Sequence, residues 1–156
     1  MRRLLLMVAL AMLVSACGGG DDSSADGGEG PSATSDAPDP CTLADDSVMA
    51  AYFGDTIPDP ETSQNGPVIG CRWRDASANS LLIQVASDYG LFRPDPCDGW
   101  VDLSFGDDGY SSESPIQSSA KVVSGNLWVS VTTTGFRDDN SSITELLEKV
   151  FAEATG

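Results

Sequence analysis

The chain contains no histidine, and its only lysines are Lys121 and Lys149. The absence of imidazole excludes a Ser-His-Asp triad, a Cys-His pair and a zinc-hydroxide site held by histidines. No P-loop or Gly-x-Ser-x-Gly pattern lies between a predicted strand and a predicted helix. Carboxylates are so abundant that any two would serve a carboxylate-based hydrolase, so they single out no site. We therefore expect a protein that is not an enzyme, with no catalytic residues, no bound metal and no cofactor.

Basic residues are also scarce, with 8 Lys and Arg against 24 Asp and Glu and a net charge of −16. Six of the acidic residues precede Cys41 and two of the basic residues lie in the leader, which leaves 18 acidic and 6 basic residues, a net of −12, for positions 41–156. A negative field of this kind disfavours nucleic acid and anionic membrane surfaces, and it keeps a domain soluble. We expect no nucleic-acid partner.

A long membrane-spanning run is missing, and the N-terminus has instead the order of a secretory signal. Two arginines precede an apolar run over positions 4–14, which is well short of the ~20 residues that cross a bilayer. Two small residues then lead to Cys17. This order resembles the lipobox of a bacterial lipoprotein, in which residues 1–16 are removed and Cys17 carries diacylglycerol. Two acyl chains suffice for stable anchoring. The alternative is ordinary secretion with Cys17 as a thiol.

Apolar side chains are almost absent from positions 18–40, which consist mainly of Gly, Asp, Ser, Ala, Pro and Glu. Such a composition predicts a disordered tether. With the lipidated cysteine it makes up residues 17–40, and its root-mean-square span as a flexible coil is roughly 25–30 Å. Residues 41–156 are then one extracytoplasmic domain by length, at the outer face of the cell membrane.

The domain begins and ends with predicted helices. Asp45 is a suitable N-cap for a short helix that ends at Gly54. Ser142 and Glu145 form a capping box, and the apolar residues that follow recur at helical spacing up to Ala154. Positions 55–69 and 88–99, rich in proline and glycine, predict loops. The predicted strands cover 70–75, 80–87, 100–105, 110–112, 120–124 and 127–134, with a short extended piece near Ile116.

Two hairpin turns are predicted between these strands, one at Asn79 and one at the Gly125-Asn126 pair, whose residue types suit a two-residue loop. Helices at both ends of such strands predict an α+β domain, an antiparallel sheet with a short N-terminal helix and a C-terminal amphipathic helix packed on one face.

The three cysteines of the domain allow at most one internal disulfide. A bond between Cys41 and Cys71 would pin the first helix to the first predicted strand, and Cys71–Cys97 is the rival pairing. The residues themselves leave both pairings open. A thiolate metal site is disfavoured, because no Cys-x-x-Cys spacing occurs and export favours oxidation.

Several short motifs resemble a family of actinobacterial lipoproteins of unknown function. They are the Asp-Pro-Cys-Thr-Leu run at 39–43, the Gly-Cys-Arg-Trp run at 70–73, the turn at 106–110 and the Gly-Asn-Leu-Trp-Val hairpin at 125–129. The resemblance spans residues 39–154 and supports the Cys41–Cys71 pairing. It implies no known activity; some similar domains serve as extracellular sensor modules of membrane kinases.

The candidate ligand-binding residues are Trp73, Trp100 and Trp128, since an indole combines a flat apolar ring with one donor. Packing in the core or on the sheet is the alternative for at least two of them. Trp128 is the strongest candidate, because it alternates with Leu127, Val129 and Val131 and so faces away from them. Turn acids such as Asp107 and Asp108 lack the spacing of a calcium loop.

The sequence therefore predicts a non-catalytic module that binds a small envelope ligand or an envelope protein on its sheet face or on the 88–99 loop. The alternative is a structural or accessory subunit that docks to a membrane protein, or a module that resembles a kinase sensor. A third hypothesis is a carboxylate-based hydrolase.

Overall fold

The structure is a computed structural model that describes residues 37–89, 100–135 and 143–156. These residues form two helices, a 3₁₀ turn and seven strands. In chain order they are the 3₁₀ turn Pro40–Thr42, α1 (Asp46–Phe53), β1 (Glu61–Asn65), β2 (Val68–Arg74), β3 (Ser80–Ser87), β4 (Trp100–Asp102), β5 (Asp108–Glu113), β6 (Gln117–Ser124), β7 (Leu127–Thr134) and α2 (Ile143–Thr155).

The strands pair in the order β1-β2-β3-β7-β6-β5-β4, and every neighbouring pair is antiparallel. Two meanders, β1 to β3 and β4 to β7, are therefore joined into one sheet by the pairing of β3 with β7. The predicted α+β class is confirmed, with a short helix near the N-terminus and the C-terminal helix packed against β6 and β7.

Both predicted helices are confirmed. The Asp45 carboxylate accepts a hydrogen bond from the Val48 N–H at 2.8 Å, and Gly54 ends α1 with φ +71°. Helix α2 buries one stripe of apolar side chains, whose members are Ile143, Leu146, Leu147 and Val150. Ser142 of the predicted capping box lies outside the described residues.

The predicted loop over 55–69 is wrong in its second half, where β1 and the start of β2 form a hairpin around Gly66, φ +57°. All five residues of β1 are exposed and polar, so no apolar alternation marks this edge strand. The strand predicted over 100–105 ends at Asp102, because the chain turns back toward β5 and the Leu103 N–H donates to the Gly109 carbonyl at 3.1 Å. Strand β5 in turn begins at Asp108, within the predicted turn.

The other strand predictions agree closely with the structure. Strands β3 and β7 cover the predicted 80–87 and 127–134, and β6 joins the predicted 120–124 to the extended piece near Ile116. The Gly125-Asn126 hairpin is confirmed, with Gly125 at φ +57° as a turn with glycine first requires. The β2–β3 turn depends on the Asp75 carboxylate, which accepts hydrogen bonds from both the backbone and the side-chain amide of Asn79.

The core lies between the helices and one face of the sheet. Cys71 is fully buried in it and forms a disulfide with Cys41, with the two Cα atoms 5.2 Å apart. The predicted pairing is confirmed, and it ties the 3₁₀ turn to β2, against which that turn packs. Cys97 lies outside the described residues.

Candidate functional site

Strand register assigns each side chain to one of two sheet faces. The helix-covered face carries Cys71 of β2, Ile83 of β3, Val131 of β7 and Ala120 of β6, which are opposite one another from strand to strand and fully buried. Side chains that alternate with these point to the other side of the sheet. We call that side the second face.

The second face differs in chemistry from the core. Its central residues are Leu82, Gln84 and Ala86 of β3, Trp128, Ser130 and Thr132 of β7, Ser119 and Lys121 of β6, and Tyr110 and Ser112 of β5. Most of these are polar or amphipathic, whereas a second apolar core would be built from Val, Ile and Leu. Hydroxyl groups also pair across it, with the Oγ atoms of Ser112 and Ser119 separated by 3.2 Å.

One row of residues crosses four adjacent strands at the middle of this face. Tyr110 is opposite Lys121, Lys121 is opposite Ser130, and Ser130 is opposite Gln84. We call Lys121, Ser130 and Gln84 the donor row, because each side chain carries N–H or O–H donors. Lys121 and Gln84 are half-buried, whereas the short Ser130 between them is 1 % exposed. The row is therefore two long polar side chains on either side of a short one.

Lys121 is the least expected member of the row. Its Nζ lies 5.8 Å from the centre of the Tyr110 ring, within the range of a cation–π contact. Burial lowers the pKa of the Lys121 ammonium below its ordinary value, because desolvation disfavours the charged form. Within the part of the chain that the structure describes, the side chain of Lys121 makes no ion pair and no hydrogen bond.

Aromatic rings flank the donor row on two sides. Tyr110 lies at its β5 end and is 1 % exposed. Trp128 is two residues from Ser130 on β7, is 6 % exposed, and meets the ring of Tyr89 edge-on at 5.2 Å between centroids. Tyr89 itself is 39 % exposed. The aromatic flank thus has a buried indole beneath a solvent-accessible phenol.

The three tryptophans occupy different places. Trp73 is 4 % exposed and belongs to the core on the helix-covered face, so it presents no ring to a ligand there. Trp100 begins β4, where its backbone pairs with Ser112 at the far edge of the sheet. Trp128 points to the second face, away from Val129 and Val131, as alternation predicts. The structure therefore does not gather the three into one platform.

The basic residues of the described chain favour the second face. Arg72 and Arg74 alternate with Cys71 and Trp73 on β2 and point to the same side as Lys121, and both are exposed. Arg72 is opposite Glu61 of β1. At the other end of the face, Asp102 and Asp108 lie on β4 and β5. The face therefore has a basic half on β2 and an acidic end on β4 and β5.

The turn acids have structural roles in the described part of the chain. The Asp107 carboxylate accepts a 2.6 Å hydrogen bond from the Gly125 N–H and so supports the β6–β7 hairpin. Among the residues of the three described ranges, no group of three or more Cys, Asp or Glu side chains is placed to hold a metal ion. Asp138, Asp139 and Asn140, which also carry oxygen atoms that could bind calcium, lie outside these ranges.

The leader, Cys17 and positions 90–99 of the predicted binding loop also lie outside the described residues. Of the helices that are described, neither has the length and apolarity needed to cross a bilayer.

Sequence reasoning identified Trp128 but missed Lys121, Tyr110 and Gln84 as members of one site. The signal was present, since a two-residue loop at Gly125-Asn126 fixes the β6–β7 register and so places Lys121 opposite Ser130. The pairing of β7 with β3, which adds Gln84, joins distant parts of the chain and has no such local signal. No protein family, curated protein or solved structure matches this chain, so the resemblance to actinobacterial lipoproteins remains a prediction.

Proposed function

We propose that the protein is a lipoprotein of the bacterial cell envelope, anchored by a diacylglyceryl group on Cys17, whose domain is a non-catalytic binding module. The anchor rests on the order of the leader, with its basic start, short apolar run and small residues before the cysteine. The Cys41–Cys71 disulfide agrees with an exported domain, because such bonds persist in oxidising compartments.

The binding role rests on one observation, the polar and aromatic composition of the second face. Packing of the helices on the other face gives the domain its core. Lys121, Gln84 and Thr132 are not needed for that core, yet they lie together at the centre of the sheet, half-buried. Binding sites commonly combine apolar and aromatic walls with a few polar groups that orient the ligand.

Photo-crosslinking in growing cells tests this proposal. A benzophenone amino acid replaces Thr132 at the centre of the second face, and in a matched control it replaces Glu148, which is exposed on α2. We expect an adduct of defined mass from position 132 and none from position 148. The binding proposal fails if neither position gives an adduct, or if both give the same adducts in the same amounts.

The anchor has a separate test. Mass spectrometry of the protein extracted from native membranes should show a mature N-terminus at Cys17 that carries diacylglycerol. An unmodified Cys17 would overturn the lipoprotein assignment and would leave the binding proposal standing for a secreted domain.

A docking subunit or a sensor module of a membrane kinase remains the alternative function. The same crosslinking experiment separates docking from binding of a small ligand, since docking to a membrane protein would give an adduct larger than the domain itself and a small ligand would not.

A further inference from the structure

The only Asn-Gly pair in the sequence lies at the turn between β1 and β2. Asn65 is the last residue of β1, and Gly66 begins the two-residue loop Gly66-Pro67 that leads into β2. The side chain of an asparagine ends in a primary amide, and the backbone nitrogen of the next residue is the nucleophile closest to its carbonyl carbon. A glycine in that next position offers the least steric resistance to attack, because it has no Cβ. The pair therefore has the residue types for a reaction between side chain and backbone.

The surroundings of the pair leave both reacting groups accessible. Asn65 and Gly66 are exposed, as is every residue of β1. Among the residues that the structure describes, none beyond its chain neighbours has an atom within 4 Å of the position that a Cβ on Gly66 would take. The Gly66 carbonyl oxygen accepts from the Gln64 side chain at 3.4 Å. Neither the Asn65 side-chain amide nor the Gly66 N–H makes a hydrogen bond within the described ranges.

The position of Asn65 at the end of an edge strand allows its backbone to rearrange. Attack requires the backbone of Asn65 to rotate out of its extended strand conformation, so that the Gly66 nitrogen approaches the side-chain carbonyl carbon. In the described sheet β1 pairs with β2 alone, and Asn65 is opposite Val68 in the last pair of the hairpin. The rotation therefore opens one pair of residues and disturbs no buried side chain of β1. Local opening of an exposed segment costs little free energy.

The other asparagines that the structure describes lack this combination of features. The Asn79 side chain and backbone N–H both donate to the Asp75 carboxylate, at 2.8 and 2.9 Å. Asn126 is exposed in the β6–β7 hairpin. The residue after it is Leu127, whose branched side chain crowds its own backbone nitrogen and packs against the core. Asn126 therefore matches Asn65 in exposure and differs from it in the next residue, which makes it an internal control.

We propose that Asn65 is a site of spontaneous deamidation, in which the Gly66 nitrogen attacks the side-chain carbonyl carbon of Asn65. The new bond closes a cyclic imide, the C–N bond of the side-chain amide breaks, and ammonia leaves with the proton of the Gly66 nitrogen. Water then opens the ring at either of its carbonyl groups. Hydrolysis at the former side-chain carbonyl gives aspartate, and hydrolysis at the backbone carbonyl gives isoaspartate, in which the chain continues through the former side chain.

Each product changes the end of β1 in a defined way. Both products add a negative charge to a chain whose net charge is already −16. Isoaspartate also inserts a methylene group into the backbone before Gly66, so the tight loop that sets the pairing of Asn65 with Val68 is lengthened. Because every side chain of β1 is exposed, no packing in the core compensates for the lost pairing. We expect isoaspartate to loosen β1 from β2 and to leave the rest of the domain folded.

Ageing of the full-length protein tests the proposal. The protein is kept in non-ionic detergent at slightly alkaline pH and physiological temperature, and samples are digested at intervals. Peptide mass spectrometry with electron-transfer fragmentation measures deamidation at each asparagine and distinguishes aspartate from isoaspartate. We expect Asn65 to react about tenfold faster than Asn126 or more, a ratio that corresponds to about 1.4 kcal/mol in activation free energy. Isoaspartate should be among the products at Asn65.

Two variants test the role of each residue. Asn65→Gln keeps an amide but lengthens the side chain, so ring closure needs a larger ring and deamidation at position 65 should not be detected over the same period. Gly66→Asn places a Cβ beside the reacting nitrogen, and asparagine tolerates the φ of +57° found there. It should slow deamidation of Asn65 to the rate of Asn126. The amide that this variant introduces precedes Pro67, whose nitrogen carries no hydrogen and cannot form the imide.

Hydrogen exchange tests the structural effect. The isoaspartate form, isolated by ion exchange, should show faster backbone exchange in β1 than the unmodified protein and the same exchange in β7. Equal exchange of β1 in the two forms would contradict the loosening of the hairpin.

Four results would overturn the assignment of Asn65 as a deamidation site through the imide. They are equal rates at Asn65 and Asn126, product at Asn65 without isoaspartate, an unchanged rate in Gly66→Asn, and reaction of Asn65 in urea-unfolded protein but not in folded protein. The last result would mean that the pairing of β1 with β2 prevents the rotation that ring closure requires.

Discussion

Removal of the Cys41–Cys71 disulfide should cost a large share of the domain's stability. The two cysteines are 30 residues apart in sequence, and the chain-entropy relation for a loop of that length gives about 3.6 kcal/mol at 25 °C. Cys71 is also fully buried, so its replacement by alanine leaves a small cavity that adds about 1 kcal/mol. Single domains have total stabilities of about 5–15 kcal/mol.

Two perturbations separate these contributions. Reduction of the wild-type protein breaks the bond and keeps the buried sulfur, whereas Cys41→Ala/Cys71→Ala removes both. Urea unfolding of the two samples against the oxidised protein should show losses of about 3.6 and about 4.6 kcal/mol. In a thermal melt the first loss corresponds to a decrease in Tm of about 15 °C.

The reasoning would be refuted by a double variant that loses less than about 1 kcal/mol, the size of an ordinary substitution. It would be refuted equally by a reduced protein that is as stable as the oxidised one. Either result would mean that the loop between the 3₁₀ turn and β2 is restrained in the unfolded chain by something other than this bond.

Three further substitutions test the packing, the sheet and one helix end. Leu147→Ala, at a fully buried position of α2, should lower the free energy of unfolding by about 2–5 kcal/mol. Glu148→Ala, at the exposed position beside it, should change that free energy by less than about 0.5 kcal/mol. Equal effects of the two substitutions in urea unfolding would contradict the packing of α2 on the sheet. Gly109→Ala should destabilise the domain by about 1–3 kcal/mol, because a Cβ there would lie 2.7 Å from the Lys121 carbonyl oxygen. In Gly70→Ala the new Cβ would approach the Ser63 hydroxyl, which can move, so this substitution should lower the stability by less. The reverse order of the two losses would contradict the β5–β6 register. Asp45→Ala should destabilise α1 at neutral pH, because hydrogen bonds from Ser47 and Val48 hold the pKa of the Asp45 carboxyl below its ordinary value. The difference in stability from wild type should shrink as pH falls through that pKa, and a difference that grows on acidification would exclude the N-cap.

Local signals in the sequence predicted much of the fold. Strands β3 and β7 are marked by apolar residues bounded by turn residues, and α2 has a full apolar stripe. These elements bury apolar side chains in the core, so the spacing of their apolar residues indicates which face each element buries. The N-cap at Asp45 and the Gly125-Asn126 hairpin are likewise determined by short-range chemistry.

Elements that bury little apolar surface were harder to predict. Strand β1 has the sequence Glu-Thr-Ser-Gln-Asn with every side chain exposed, so only its backbone pairing with β2 makes it a strand. Strand β4 is shorter than its alternating pattern indicates, because Leu103 and Phe105 pack against the core from outside the strand. In both cases the backbone pairing, which has no sequence signature, sets the boundary.

The candidate site was likewise predictable only where short-range features of the sequence determine it. The direction of Trp128 was predicted from alternation along one strand, and the placement of Lys121 opposite Ser130 follows from the hairpin register. The addition of Gln84 depends on the pairing of β3 with β7, whose paired residues are forty or more positions apart in the chain. Trp73, a candidate from composition, lies instead in the core.

The most direct test of a binding face outside the cytoplasm is a comparison of lysine labelling in two states of the same protein. Cells without their walls and the purified protein are each treated with a membrane-impermeant amine reagent, and mass spectrometry measures labelling at Lys121 and Lys149. We predict that Lys149, exposed on α2, is labelled equally in both states. Lys121 should be protected on the cells and labelled after purification, when its ligand has been removed. Equal labelling of Lys121 in both states would contradict occupation of the second face, and no labelling of either lysine on the cells would contradict its location outside the membrane.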